Sequence, residues 1–116
     1  MSRDVRLYLE DVVTCCEKIL RFTRGMTRDE IIADDKTYDA VQRNLFVLGE
    51  AVKCVPDEIR QRHPEVAWRK IAGLRDFLAH VYFAIDDDIL CDLIENKVPE
   101  LLVQMRCVLA AEYPPV

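Results

Sequence analysis

The stretch Val5-Arg6-Leu7-Tyr8-Leu9-Glu10-Asp11-Val12-Val13-Thr14-Cys15-Cys16-Glu17-Lys18-Ile19-Leu20-Arg21-Phe22-Thr23 decides the fold class. Val5, Leu9, Val12, Cys16, Ile19 and Thr23 recur at three- and four-residue intervals, and Leu20 widens the stripe. That spacing puts them on one face of a 3.6-residue helix, while Asp4, Glu10, Asp11 and Glu17 lie mostly off it. A strand would alternate every second residue. The spacing predicts a long amphipathic helix from Arg3 to about Arg24, and Gly25 supplies its stop.

The same period continues outward. Thr27-Arg28-Asp29-Glu30 has the S/T-x-x-E form of a capping box and should open a short helix through Ile31, Ile32 and Ala33. A second long helix should begin at Asp35 or Thr37 and run to about Val55, with Tyr38, Val41, Leu45, Leu48, Val52 and Val55 as its stripe. Gly49 within it costs about 1 kcal/mol relative to alanine, a cost often offset by close approach of another helix. Pro56 ends that run, Asp57-Glu58 begin a short turn through Arg62, and His63-Pro64 breaks again because a residue before proline avoids the helical region. Residues 67–83 read as helix interrupted at Gly73. Asp86-Asp87-Asp88 then give an N-cap and a negative first turn for a last helix to about Glu112, which Pro99 should kink. There is no strand-period stretch, no internal repeat and no low-complexity segment. The expected architecture is an all-α, antiparallel up-and-down bundle of four to five main helices, in a single domain spanning 1–116.

Composition narrows the class. At 116 residues and 51% apolar, one domain can bury a core without staples. The five cysteines, Cys15, Cys16, Cys54, Cys91 and Cys107, are odd in number and lack metal-ligand spacing. They predict reduced thiols in a cytoplasm, not a disulfide frame or a zinc site. No secretory leader or membrane span is expected. A net charge of -5 weighs against indiscriminate nucleic-acid binding. The charge is uneven, however. Arg60, Arg62, Arg69, Lys70 and Arg75 form a basic run that could hold phosphates or simply face solvent. Residues 86–100 are acidic, as an ordinary helix start or a docking face.

The chemistry-bearing groups concentrate in Gly73-Leu74-Arg75-Asp76-Phe77-Leu78-Ala79-His80-Val81-Tyr82. Histidine titrates near neutrality and can move a proton, and arginine grips a phosphate with a planar fork. Arg75 and His80 together could cleave RNA without a metal, with Asp76 orienting one of them. Five residues on a straight helix separate the pair by about 140°, so joint use needs a helix end, a bend or a second chain. Residue chemistry alone equally allows a histidine that caps or packs a helix end. Trp68 reads as a core residue with its N–H satisfied, and His63 as an exposed helix end.

The chain resembles the HEPN superfamily, and within it the HepT-like toxins paired with a minimal nucleotidyltransferase. The similarity rests on Arg3-Asp4-Val5-Arg6-Leu7-Tyr8-Leu9-Glu10-Asp11, on Arg43-Asn44-Leu45 with Gly49-Glu50-Ala51, and on Trp68-Arg69-Lys70-Ile71-Ala72-Gly73-Leu74-Arg75-Asp76 with Leu78-Ala79-His80 and Tyr82-Phe83. The resemblance implies a homodimeric ribonuclease with no cofactor, in which the R-x4-H motifs of both protomers meet. By position it makes Arg75 and His80 the catalytic pair. Asp76 falls in the polar slot that is Asn in many members, and Tyr82 becomes the tyrosine to which the partner nucleotidyltransferase attaches AMP. Arg43, Asn44 and Glu50 are expected as structural support that hydrogen-bonds the catalytic segment or its dimer mate. Two other readings stay open: a non-catalytic subunit that binds a nucleotide or partner within a two-component nucleotidyltransferase, and a dimeric scaffold whose polar motif only closes the interface.

Overall fold

The computed structural model describes residues 3–74, 76, 78 and 87–116. It is all-α, and no strand occurs among the described residues. The elements are α1 (Val5–Thr23), α2 (Arg28–Ala33), α3 (Asp35–Lys53), α4 (Asp57–Arg62), α5 (Trp68–Ala72), α6 (Asp87–Asp92), a π turn (Leu93–Lys97) and α7 (Val98–Glu112). α1 packs along both α3 and α7, and α3 also carries α2 and α5. Arg106 reaches Glu17 at 3.3 Å, while Arg6 lies over the Tyr113 ring at 5.8 Å. Those two pairs fix α1 and α7 as antiparallel neighbours.

The expected stripe of α1 is its buried face: Leu9, Val12, Cys16, Ile19 and Thr23 are buried, joined by Cys15, whereas Val5 packs only at the margin. Burial would cost Thr23 its hydroxyl hydrogen bond to water, and the group instead donates to the Ile19 carbonyl at 2.8 Å. On α3, Val41, Leu45, Leu48 and Val52 are fully buried, as are Met105 and Val108 of α7. Cys15, Cys16 and Cys91 are buried as free thiols, while Cys54 and Cys107 are exposed. Burial pushes the Cys16 thiol up to about 12, so it stays protonated and behaves as a small apolar residue.

Caps set the helix ends. The Asp4 carboxylate accepts from the Arg6 amide at 2.9 Å, so α1 starts at Val5 and not at Arg3. Gly25, at φ 76, takes the left-handed conformation just past the end of α1. The capping box of α2 forms in both directions: the Glu30 amide donates to Thr27 Oγ1 at 3.2 Å and the Thr27 amide to Glu30 Oε1 at 3.0 Å. Thr27→Ala should therefore destabilise the fold by about 1 kcal/mol, measured as a lower urea midpoint at unchanged slope.

The interruption at Gly73 is present: α5 ends at Ala72, and Leu74 is helical again. Gly73 keeps an ordinary right-handed conformation, and an added Cβ would meet only backbone oxygens at 3.4 and 3.5 Å. Near Pro99 the distortion takes a defined form. The Val98 amide donates to the Leu93 carbonyl, five residues back, which makes the π turn. Proline has no N–H, and its ring would collide with the carbonyl of Glu95 in a regular helix, so one extra residue in the turn relieves both problems.

Candidate functional site

The candidate segment begins on a firm base. Trp68 is buried, and its indole N–H donates to the His63 carbonyl at 2.9 Å. Ile71 and Leu74 pack against the core from the same side. Asp76 is helical and exposed, and Leu78 packs half-buried on the core. Arg75, His80 and Tyr82 lie outside the described residues, so the structure positions the frame of the motif without describing these three.

An apolar groove of about 250 Å³ opens beside this frame, walled by Leu45 and Leu48 of α3, Ile71, Leu74, Leu93 of the π turn and Leu101 of α7. Lys70 and Lys97 contribute to it, as do Glu65 and Glu100.

The basic run is smaller than its sequence suggests. Arg60 turns inward, its Nε donating to the Val55 carbonyl at 2.9 Å and its Nη2 to the Val52 carbonyl at 2.8 Å. It caps the C-terminal carbonyls of α3, where a cation is favoured. Arg62 forks onto the Glu112 carboxylate. Within the run, Arg69 and Lys70 face solvent. The acidic run is likewise occupied from within. Glu95 receives both Nε and Nη2 of Arg28, at 2.7 and 2.8 Å, and Asp87 accepts from the Tyr38 hydroxyl at 3.1 Å.

One further expectation changes. His63 is not an exposed helix end: its side chain is only 13% exposed, and Nε2 lies 2.8 Å from a Glu112 oxygen. The cause is the return of α7, whose C-terminal carboxylate fills the space beside the His63-Pro64 break. The Asn44 amide nitrogen donates back to the Ala40 carbonyl at 2.8 Å, and Arg43 is exposed. Sequence reading missed the Glu112 pairings because their partners lie about fifty positions away. An acid at a helix end carries no mark of its long-range partner.

The Arg62 fork, then the His63 ring, hold the Glu112 carboxyl down at about 2, from an ordinary 4.5. A lowered folded-state pKa stabilises the fold above the ordinary value and loses that contribution as pH falls toward the folded value. Urea midpoints of the wild type should therefore drop between pH 4.5 and 2, and Glu112→Gln should flatten that part of the profile.

The family model for "Ribonuclease HepT-like" matches residues 12–108. "Putative RNase MJ0127" of Methanocaldococcus jannaschii is 45% identical over 98 residues, covering 84% of this chain and 81% of the relative. "Probable ribonuclease HepT" of Thermococcus cleftensis is 39% identical over 101 residues, covering 87% and 92%. "Putative RNase TTE0752" of Caldanaerobacter subterraneus is 36% identical over 107 residues, covering 92% and 96%. No solved structure matches the chain with comparable significance. The matched span takes in the helices that frame the candidate segment and the whole Arg75–Tyr82 motif, and the chain belongs to the HepT-like ribonuclease family.

Proposed function

We propose that the protein is a metal-independent RNA endonuclease that acts in the cytoplasm as the toxin of a toxin–antitoxin pair. The observation that carries this reading is the R-x4-H-x-Y motif at 75–82, inside the span matched by a ribonuclease family. His80 removes the proton of a ribose 2′-hydroxyl, and the 2′-oxygen attacks the adjacent phosphorus. The bond from phosphorus to the 5′-oxygen breaks, and that oxygen is protonated as it leaves. The guanidinium of Arg75 holds the phosphate and offsets the charge that gathers on it. The products are a 2′,3′-cyclic phosphate and a 5′-hydroxyl. Two copies of the chain bring two such motifs together, which answers the five-residue offset of Arg75 and His80.

Control resides at Tyr82. Its phenol oxygen attacks the α-phosphorus of ATP bound by a partner nucleotidyltransferase, loses its proton and releases pyrophosphate. The attached AMP, bulky and anionic two residues from His80, blocks the site and repels RNA. The test is intact-mass measurement of the protein coexpressed with a minimal nucleotidyltransferase. An added mass of one or more AMP units, absent in Tyr82→Phe, is the expected result. An unmodified wild type would overturn this control.

A further inference from the structure

An open cleft of about 510 Å³ lies where α4 turns into α5, lined by Asp57, Arg60, Pro64, Trp68, Arg69 and Lys70. Three cations face one carboxylate there, in a chain whose net charge is -5. The three are not equivalent. The Arg60 guanidinium is engaged by the Val55 and Val52 carbonyls. Arg69 and Lys70 are exposed, and among the described residues no carboxylate pairs with either. By contrast Arg3, Arg6, Arg28, Arg62 and Arg106 are each paired with an acid. The charges of Arg69 and Lys70 are therefore available to a ligand. Their mount is stiff, because the Trp68 indole N–H holds the start of α5 to the His63 carbonyl and α5 packs on α3.

We propose that this cleft is a phosphate subsite for single-stranded RNA, in which the Arg69 guanidinium and the Lys70 ammonium each neutralise a backbone phosphate. The choice of RNA over another polyanion rests on the ribonuclease reading given above. A strand offers phosphates in succession, which suits two cations side by side. Arginine takes one in its planar fork, and lysine takes the other as a point charge. Trp68 is only 6% exposed, so its ring is not offered to a base for stacking. Recognition is then by backbone charge and carries no base preference. Asp57 opposes an anion in the same cleft and limits the affinity.

The experiment uses the unmodified full-length protein and short labelled oligo(U) and oligo(A) strands that are fully 2′-O-methylated. Such strands lack the attacking hydroxyl and are not cut, so fluorescence anisotropy reads binding alone. Arg69→Ala combined with Lys70→Ala should weaken both strands by about tenfold at about 50 mM salt. The slope of log affinity against log salt should flatten by about 1.4, at about 0.7 for each phosphate contact on a single strand. Asp57→Asn should tighten both strands by about twofold. Lys18→Ala combined with Lys36→Ala removes the same charge from exposed positions on α1 and α3, and should leave affinity within about twofold and the slope unchanged. A double variant at 69 and 70 that binds like the wild type overturns the inference. So does an equal loss in the control, or a wild type that binds neither strand. Loss confined to Arg69 and Lys70, in a protein that shows no His80-dependent cleavage of unmethylated RNA, supports the subsite and removes the ribonuclease reading instead. His80-dependent cleavage with unchanged binding does the reverse.

Discussion

His80→Ala is expected to lower RNA cleavage by about 10²–10⁴-fold, the usual contribution of a positioned general acid or base. The chain holds two histidines, and His63 is engaged with the Glu112 carboxylate at the opposite end of the α4–α5 connection. His80 is then the histidine left for the proton transfer proposed above. Arg75→Lys should also lose most activity, because an ammonium keeps the charge but cannot make the planar two-bond grip on phosphate. His63→Ala should leave kcat within about twofold, since its ring serves the fold, and its effect should be read in the urea midpoint. The assay is initial-rate cleavage of a labelled RNA by protein whose mass shows no added nucleotide.

The second large effect is on stability. Trp68→Ala should cost about 3–5 kcal/mol, from lost burial plus the cavity left behind. That is a large part of the roughly 5–15 kcal/mol available to a domain. Trp68 is 6% exposed and ties α5 to the α4–α5 connection through its indole N–H. The melting temperature should fall on the order of 10–20 °C. Trp68→Phe separates the two contributions: it keeps most of the apolar bulk, loses the bond to the His63 carbonyl, and should cost only about 1 kcal/mol plus a small packing term. Because Trp68 begins the helix that leads into the motif, Trp68→Ala should also lower cleavage at temperatures where the protein is still folded.

Helical periodicity made the long helices readable, since the burial of Leu9, Val12, Leu45 and Leu48 follows from spacing alone. The Thr27–Glu30 capping box was equally readable, because its partners lie three residues apart. What the spacing did not carry were pairings set by tertiary approach. Arg60 looked like one member of a phosphate-binding run, but its guanidinium spans back to the end of α3. Arg28 and Glu95 carried no mark of each other across 67 positions. His63 looked exposed because nothing local predicts the arrival of Glu112. For the candidate site, the motif was read through resemblance and Trp68 as a core residue from its type, while the His63 carbonyl that its N–H binds came from the structure.

In the proposed reaction His80 drives metal-independent cleavage at a ribose 2′-hydroxyl. The most direct measurement incubates unmodified wild type and His80→Ala side by side with RNA in excess EDTA and reads both rate and product ends. The expected result is cleavage by the wild type alone, leaving 2′,3′-cyclic phosphate ends. Equal cleavage by both proteins, or none by the unmodified wild type, would contradict it.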